Sequence, residues 1–402
     1  MKMVREDFPI FAQRSEKPLI YFDNAATTQK PRAVLSTITH FYMTYNASVN
    51  RGLYKIAERA TEMYESVRYK VARFINAQSS SEIIFTQGTT DSINTVALIW
   101  ARYAIKEGDE IVVSIMEHHS NFVPWQQLAQ AQKAILKIIP VTKEGLLDYK
   151  NLSSIITEKT KLVAVTQVSN ALGIRNDLAP IIKRAKEMKA RVLVDGAQAV
   201  AFEKVDVQLL GCDFYVFSAH KMGGPTAVGV LYINRTVQKE CIPYQTGGGM
   251  VHEVSVEKTT FLPAPMLFEP GTPAVAQVIG FGAAIDYLFR HPFEDIQAYT
   301  VGLTIRAIEG LEKLPKIRIL GSIAQLKLTG HMVSFVVEGM HAHDVAAALD
   351  KEGICVRAGH HCAQPLAKAL GYESSVRISF YSYNTSEEVD YFLKVLRQIL
   401  SV

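Results

Sequence analysis

Polar residues follow two apolar segments in the middle of the chain, and their types suit cofactor chemistry. Residues 192–198 read VLVDGAQ and residues 214–221 read FYVFSAHK. Ligands of open α/β sheets bind beyond the carboxyl ends of the strands, so one crevice is expected to hold Asp195, Gln198, Ser218, His220 and Lys221. Pyridoxal phosphate (PLP) needs a lysine for its Schiff base, a carboxylate at its ring nitrogen and a donor at its phenolic oxygen. Lys221, Asp195 and Gln198 together match these needs, although singly a surface lysine or a capping aspartate is commoner.

A seat for the phosphate is predicted at residues 85–91, which read FTQGTTD. This segment follows a predicted strand, and Gly88 allows a close approach to Thr89 and Thr90 at the start of a helix. Backbone N–H groups and the helix dipole favour an anion there. Ser218 and His220 would complete the site. Ordinary capping by threonine explains the segment equally well.

Two adjacent histidines lie in residues 116–121, which read MEHHSN. Both rings cannot face the same side, so we assign His118 to cover the cofactor ring and leave His119 to pack or cap. A histidine there is also suited to moving protons, because free imidazole titrates near neutral pH. A lone core histidine is the alternative.

Cys362 is the candidate nucleophile among four cysteines. It lies in residues 357–365, RAGHHCAQP, a histidine-flanked loop typical of a reactive thiol. Cys212 and Cys355 lie in apolar contexts and are expected in the core, whereas Cys241 is left unassigned. Arg377 is predicted to hold an amino-acid carboxylate bidentately, with a surface ion pair as the commoner alternative.

The elements that position these residues alternate between β-rich and amphipathic segments, which predicts an α/β fold around a mostly parallel sheet. Strands are expected at residues 82–85, 110–114, 135–139, 161–166, 191–195, 213–218 and 228–233, with helices such as 91–106 and 178–188 between them. Residues 243–273 predict a long loop or hairpin, and residues 275–314 a helical stretch. A smaller α+β region follows, with strands at 332–337 and 375–379 and helices at 344–351 and 386–400.

The bulk composition excludes several classes of protein. The 402 residues carry a net charge of +4 without a dense basic run, so a small anionic ligand is expected rather than nucleic acid or a membrane surface. No segment reaches the roughly 18 apolar residues of a membrane span. The first residues show no apolar leader, and cysteines without a leader predict reduced thiols in the cytoplasm.

In combination these motifs resemble the cysteine desulfurases of the class-V aminotransferase family, and among them the SUF-type (group II) enzymes related to selenocysteine lyases. The resemblance runs nearly end to end and includes residues 21–28 (YFDNAATT), 117–121 (EHHSN), 195–198 (DGAQ), 218–221 (SAHK), 247–250 (GGGM), 271–273 (GTP) and 357–362 (RAGHHC). It implies a PLP-dependent transferase of fold type I. The implied division is an N-terminal segment, 1–20, on the small domain, a large PLP-binding domain, 21–274, and a linking helix with the small C-terminal domain, 275–402.

The resemblance also implies roles for individual residues. Lys221 carries the cofactor, Asp195 pairs with its ring nitrogen, Gln198 bonds its phenolic oxygen and His118 stacks on its ring. The phosphate is held by Thr89, Thr90, Ser218 and His220, and by Thr272 from the other subunit of a homodimer. The residues implied to bind the substrate L-cysteine are Asn170, Arg377, Arg357 and Ala25. No metal is implied.

The implied reaction releases alanine from cysteine and leaves the sulfur as a persulfide on Cys362, from which an acceptor protein takes it for iron–sulfur cluster assembly. Selenocysteine lyase and cysteine-sulfinate desulfinase share the cofactor chemistry and remain alternatives. A catalytically silent PLP-binding regulator is a third, which the intact Lys221, Asp195 and Cys362 disfavour. The chain departs from the family pattern at Asn50 and Tyr54, where group II members usually have histidines.

The acceptor is predicted from residues 341–344, which read HAHD. Relatives that serve zinc-bearing, scaffold-like acceptors have this pattern, whereas those that serve metal-free acceptors tend to have tyrosine at the second histidine. A neutral imidazole on His343 could replace a thiolate on the partner's Zn²⁺. Capping of the following helix by both histidines is the competing interpretation.

Overall fold

A computed structural model describes residues 5–13 and 16–401. The strands are β1 Ile20–Tyr21, β2 Ile83–Thr86, β3 Glu110–Ser114, β4 Ile135–Ile139, β5 Thr160–Thr166, β6 Arg191–Asp195, β7 Phe214–Ser218, β8 Gly229–Ile233, β9 Val251–Val254, β10 Thr259–Phe261, β11 Ile317–Leu320, β12 Met332–Val337, β13 Ile354–Cys355, β14 Arg357–Gly359 and β15 Ser375–Ser379.

The α-helices are α1 Arg32–Thr44, α2 Lys55–Phe74, α3 Thr89–Val96, α4 Arg102–Ala104, α5 Val123–Gln132, α6 Leu152–Ile155, α7 Ala179–Glu187, α8 Val207–Leu210, α9 Arg235–Gln238, α10 Val275–Phe289, α11 Phe293–Leu311, α12 Ile323–Thr329, α13 Ala342–Asp350, α14 Gln364–Ala369 and α15 Ser386–Leu400. A π-helical stretch, Ala97–Ala101, joins α3 to α4. No helix within the described residues is both long and apolar enough to cross a membrane.

The large sheet has the strand order β2-β8-β7-β6-β5-β3-β4, and β8 runs against its neighbours while the others are parallel. Alternate residues of its strands enter two separate apolar clusters, as Val112 and Ile111 of β3 do. Helices therefore cover both faces, which explains the almost continuous apolar runs of these strands. The carboxyl ends of β5, β6 and β7 lie side by side and present Thr166, Asp195 and Ser218.

A second, antiparallel sheet has the order β11-β12-β15-β14. An early segment of the chain contacts this sheet, because Asp23 forms a bridge with Ser379 at the end of β15. Just before Asp23, β1 pairs in parallel with β13 in a separate two-stranded sheet. Arg5 adds an ion pair with Glu388 of α15 at 2.7 Å. The N-terminal segment thus contacts the C-terminal region, while the predicted domain boundaries stay a prediction.

The predicted elements agree with the structure apart from three helical segments and a few strand ends. All nine predicted strands differ by at most one residue at either end, and the helix predicted at 344–351 begins two residues earlier, at Ala342. The helix predicted at 91–106 begins two residues earlier, at Thr89, because Gly88 is its N-cap, and it changes to π geometry after Val96. The helical stretch predicted at 275–314 is two helices, broken before Phe293. Pro292 lacks an N–H group and disfavours helical geometry in the preceding residue.

A buried ion pair ties α2 to the edge strand β2. The side chain of Arg68 is only 2% exposed and donates to Glu269 Oε1 at 2.6 Å and Oε2 at 2.9 Å. Arg68 also donates to the Ile83 carbonyl, and the amide of Phe85 donates to Glu269. The pair thus fixes β2, which leads directly into Gly88 and helix α3.

We predict that Glu269→Gln lowers the free energy of unfolding by about 3 kcal/mol, because it removes the more buried of the two carboxylates that pair with Arg68 and leaves this buried charge with Glu65 alone. Asp390→Asn, which breaks the solvent-exposed pair with Arg306, is the matched control and should cost much less. Denaturant titration of both variants checks this. Equal effects would show that burial does not set the cost of breaking the pair.

Candidate active site

The strand ends and the adjoining loops enclose a cavity of about 310 Å³. It is lined by most of the residues predicted from the sequence, which are Ala25, Thr89, Thr90, His118, Asn170, Asp195, Gln198, Ser218, His220, Lys221, Arg357, Cys362 and Arg377. Two predicted residues lie elsewhere: Thr272 is exposed beside a different cavity, and His343 is exposed on α13.

The amine of the half-buried Lys221 and the buried carboxylate of Asp195 occupy one end of this cavity. Lys221 ends the 3₁₀ turn Ala219–Lys221 that follows β7. Burial lowers the pKa of Lys221, and the nearby Asp195 opposes this only in part. Burial also raises the pKa of Asp195, which accepts a hydrogen bond from the Ala197 amide at 2.9 Å. A protonated ring nitrogen would supply the cation that this carboxylate lacks, so the pair fits PLP.

The amino end of α3 provides a seat for an anion. Gly88 caps the helix without a side-chain bond, and the Thr89 amide donates to Ser218 Oγ at 2.7 Å. A Cβ on Gly229 would lie 2.4 Å from the Gly88 Cα, so glycine is required where β8 passes this turn. Uncapped N–H groups and hydroxyls at a helix start are the donors that a phosphate accepts from. Burial and Lys221 lower the pKa of His220 to about 4, so its ring is neutral here.

The opposite end of the cavity is built around Arg377, which is 3% exposed. Its Nη1 donates to the Asn170 carbonyl at 2.7 Å, and Nη2 lies 3.3 Å from Asp23 Oδ1. Its Nε–H has no hydrogen-bond partner in the described part of the chain. Burial lowers the pKa of Arg377 to about 10, still above neutrality. A buried guanidinium with a free donor suits a carboxylate ligand.

Two predicted ligands already have partners within the chain. The Asn170 side chain donates to the His361 carbonyl at 2.5 Å, so it also holds the loop that carries Cys362. Gln198 Nε2 donates to the Ala25 carbonyl at 2.8 Å, and the Ala25 amide donates to Ser379 Oγ. The bonds of Gln198 and Ala25 connect the lining of the cavity to Ser379 of β15, in the second sheet.

Cys362 is exposed and lies on a strained loop. His361 and Cys362 have φ values of 53° and 56°, in the left-handed region that non-glycine residues rarely adopt. The His119 amide holds the loop by donating to the Cys362 carbonyl at 2.7 Å. Consecutive left-handed residues at a lining position are typical of a functional loop.

The other three cysteines are less accessible than Cys362. Cys212 and Cys241 are buried and Cys355 is half-buried. Burial raises the pKa of each of these thiols, to about 12 for Cys241. A thiol with a raised pKa is a poor nucleophile at neutral pH. Cys241, unassigned from the sequence, is therefore a core residue.

The pKa of His118 lies well below that of free imidazole, on which the expected role in moving protons was based. Burial, with Lys221 as the next cause, lowers its pKa to about 3. Its Nδ1 accepts a hydrogen bond from the Ser120 amide at 3.0 Å, so the proton of the neutral ring is on Nε2. A neutral ring covers an aromatic cofactor without adding charge, but it does not store a proton at neutral pH.

Sequence reasoning assigned no role to Glu117, which is fully buried beneath this histidine. Its carboxyl group bonds Ser114 Oγ at 2.5 Å, the Thr166 amide at 3.0 Å and Asn121 Nδ2 at 2.6 Å. Burial raises the pKa of Glu117 to about 8 despite these bonds. An acidic residue three positions after the apolar strand β3 was the available signal. Asp23 was missed as well, because its partners are more than 300 positions away.

We predict that the thermal midpoint of Glu117→Gln rises relative to wild type as the pH increases from 5 to 9. Glu117 titrates near 4.5 when unfolded and near 8 when folded, so the folded state binds the extra proton between these values and its stability falls as pH rises. Glutamine removes this titration. Glu144→Gln, at an exposed position, is the control. Parallel pH profiles for wild type and Glu117→Gln would contradict the raised pKa.

A larger cavity, of about 840 Å³, lies between α7, α8 and α12. Its lysines, Lys183, Lys186 and Lys204, are exposed. It therefore lacks a lysine that is half-buried, as Lys221 of the smaller cavity is, and we place the active site in the smaller cavity.

Comparison with known proteins agrees with this geometry. Residues 20–392 match the family described as Aminotransferase class-V. A cysteine desulfurase of Dickeya dadantii is 45% identical over 98% of this chain and 96% of its own length. The cysteine desulfurase of Synechococcus elongatus is 43% identical over 98% of this chain, which spans only 63% of that longer protein.

Solved structures show the same fold. The apo cysteine desulfurase of Thermococcus onnurineus superimposes with a TM-score of 0.94 at 40% identity, covering 99% of this chain and 97% of that one. The cysteine desulfurase CsdA of Escherichia coli gives 0.91 at 38% identity, with the same coverage. The α/β fold with a large, mostly parallel sheet is thereby confirmed. The chain belongs to the class-V aminotransferase family.

Proposed function

We propose that this chain is a cysteine desulfurase, which converts L-cysteine to L-alanine and holds the sulfur as a persulfide on Cys362. The observation that carries the proposal is the convergence of three groups on one cavity: the amine of Lys221 with its lowered pKa, the buried guanidinium of Arg377 and the exposed thiol of Cys362. A lysine for a carbonyl cofactor, a carboxylate anchor and a nucleophilic thiol are what this reaction needs. The named relatives support it.

The cofactor of the proposed enzyme is PLP, which supplies, when bound, an electron sink for bonds broken at the substrate carbon atoms. Lys221 would hold it covalently, Asp195 would face its ring nitrogen and Gln198 its phenolic oxygen, with His118 over the ring. The phosphate would lie at the amino end of α3, held by Thr89, Thr90, Ser218 and His220. The uncapped helix start and the unpaired buried carboxylate support this placement.

The substrate carboxylate would bind Arg377, with Asn170, Arg357 and Ala25 shaping the same end of the cavity. The depressed pKa of Lys221 leaves an amine that can accept the Cα proton, and the neutral His118 can donate a hydrogen bond through Nε2. The Cys362 thiolate forms a bond to the substrate sulfur as the carbon–sulfur bond breaks. The three-carbon fragment receives a proton and leaves as alanine.

A homodimer is the proposed assembly. Thr272 lines a different cavity of this chain and not its own active-site cavity, which agrees with a contribution to the partner's phosphate site. Large apolar side chains are exposed at Met43, Leu53 and Val256, with exposed fractions of 78%, 96% and 100%. Exposed apolar side chains of this size are common at subunit contacts. Free thiols at all four cysteines accord with the cytoplasm as the proposed compartment.

The proposed acceptor is a zinc-bearing, scaffold-like sulfurtransferase. His341 caps α13 by accepting a hydrogen bond from the His343 amide, so the capping role belongs to His341. The His343 ring is left exposed, and a Cβ on Gly359 would lie 4.0 Å from its Nε2. An exposed imidazole beside the loop of Cys362 is well placed to bind a partner's Zn²⁺.

Selenocysteine lyase and cysteine-sulfinate desulfinase would use the same buried residues. Neither reaction requires a nucleophilic thiol, because selenium or sulfite leaves without covalent transfer to the protein. A cavity with an exposed cysteine on a strained loop therefore favours desulfuration of cysteine. A silent PLP-binding protein would not need that loop.

We predict that Cys362→Ser binds L-cysteine but accumulates no persulfide, because a hydroxyl is a far poorer nucleophile than a thiolate towards sulfur. Mass spectrometry after a cysteine pulse measures the adduct, about 32 Da for one sulfur atom. Lys221→Ala is the companion variant and should lose the borohydride-reducible cofactor and all alanine formation. A persulfide on Cys362→Ser, or full alanine formation by Lys221→Ala, would refute the assignment.

We predict that His343→Ala loses most of its stimulation by a zinc-bearing acceptor and keeps its basal rate of alanine formation. The imidazole is then no longer available to exchange with a zinc-bound thiolate. His341→Asn is the matched control, since asparagine retains the helix cap. Full stimulation of His343→Ala would exclude zinc exchange, whatever the outcome for Cys362.

A further inference from the structure

Two arginines face each other across the strands that border the carboxylate end of the cavity. Arg357 of β14 pairs in register with Arg377 of β15, so the two side chains project from opposed positions. Both line the cavity. Like charges in directly opposed positions destabilise a sheet unless an anion lies between them.

Asp23 supplies that anion from outside the cavity lining. Its Oδ2 lies 2.8 Å from Arg357 Nη2, and its Oδ1 lies 3.3 Å from both Arg357 Nε and Arg377 Nη2. The backbone of Asp23 is fixed by its bridge to Ser379, and its carbonyl accepts from the Ala26 amide. Asp23 is therefore a fixed counter-ion that occupies the paired donors of Arg357.

The charges at this end of the cavity consequently sum to one net positive charge, from two guanidinium groups and one carboxylate. Arg377 is held on two sides, by Asp23 and by Asn170. Arg357 is different, because its side chain is 49% exposed and Asp23 is the acid that holds it. Without Asp23, Arg357 would be free to turn its two donors to a second anion on the ligand.

We propose that Asp23 is a specificity-determining residue, which restricts the cavity to amino acids with one anionic group by neutralising Arg357. The proposal rests on the proposed function, since it takes an amino acid as the ligand. Cysteine brings one carboxylate for Arg377. Cysteine sulfinate and aspartate bring a second anion, which finds Arg357 already paired. Amino acids with a second anion are therefore disfavoured because no unpaired cation of the cavity is available to that anion, and not because of a steric clash.

Titration calorimetry of the holoenzyme with L-alanine and L-aspartate tests the proposal. The measured quantity is the ratio of the aspartate Kd to the alanine Kd. In Asp23→Asn the ratio should fall by about tenfold, the change expected when one charge-assisted pair becomes available to the ligand. Asp23→Asn/Arg357→Gln restores one net positive charge and should return the ratio to the wild-type value.

The single variant Arg357→Gln, at a side chain that is 49% exposed, provides a test in which the ratio should change in the opposite direction. It removes a cation while keeping Asp23, so the ratio should rise above that of wild type. Asp390→Asn, remote from the cavity, should leave the ratio unchanged. If Asp23→Asn does not fold, the Arg357→Gln result alone decides the proposal.

An unchanged ratio in both Asp23→Asn and Arg357→Gln would overturn the proposal, as would equal affinities of the wild type for the two amino acids. In that case Asp23 would only hold the two strands together, and both affinities would weaken in parallel. Alanine formation from cysteine by the wild type is measured separately. Its absence would refute the desulfurase assignment and leave the binding ratios to decide the role of Asp23.

Discussion

Burial of charged groups at the carboxyl ends of the parallel strands is the constraint on which the site depends. Lys221, Asp195 and Arg377 all lie within one small cavity, and a buried charge is costly unless a partner compensates it. The cost is reduced in two different ways, by pairing a charge or by shifting a pKa towards the neutral form. Arg377 keeps its charge through Asp23 and Asn170, whereas the pKa values of Lys221 and Asp195 shift towards neutral forms. The uncompensated pair is the part of the site that a cofactor completes.

The same burial suppresses charge on the surrounding acid–base groups. His118 and His220 have lowered pKa values and Glu117 a raised one, so each is neutral or largely so near pH 7. Hydrogen bonds then orient these groups without placing extra charge beside the cofactor site. Glu117 bonds three neighbours and so connects the end of β3, the end of β5 and the turn that follows His118. Orientation, rather than proton storage, is the role that this environment permits.

The thiol of Cys362 differs from the charged groups of the cavity in its exposure to solvent. Cys362 is exposed on a loop with two left-handed residues, and the loop is held by the His119 amide and the Asn170 side chain. These tethers come from the large sheet, while the loop itself follows β14 of the small one. A persulfide on Cys362 would thus be formed at a cavity and presented at a surface. Exposure is necessary if a second protein is to take the sulfur.

Short-range patterns in the sequence predicted the strands to within one residue, several helices and the main candidate residues. Apolar runs that end in polar groups predicted Asp195 and Lys221 together, because parallel strands must align their carboxyl ends. The glycine before α3 and the threonines in its first turn predicted the anion site for a similarly local reason. The resemblance to a known family added Thr272 and His343, which no local pattern explains.

Only the tertiary structure decided which buried groups keep their charge and which long-range contacts stabilise those charges. The neutral state of His118 depends on the shell of residues around it, and free-imidazole behaviour misled the sequence-based expectation. Asp23 meets Arg357 and Arg377 across more than 300 positions, since β1 pairs with β13 and Asp23 itself bridges to β15, both from the end of the chain. Periodicity and spacing report neighbours within a few turns, whereas pKa values and ion pairs depend on neighbours that folding alone brings together.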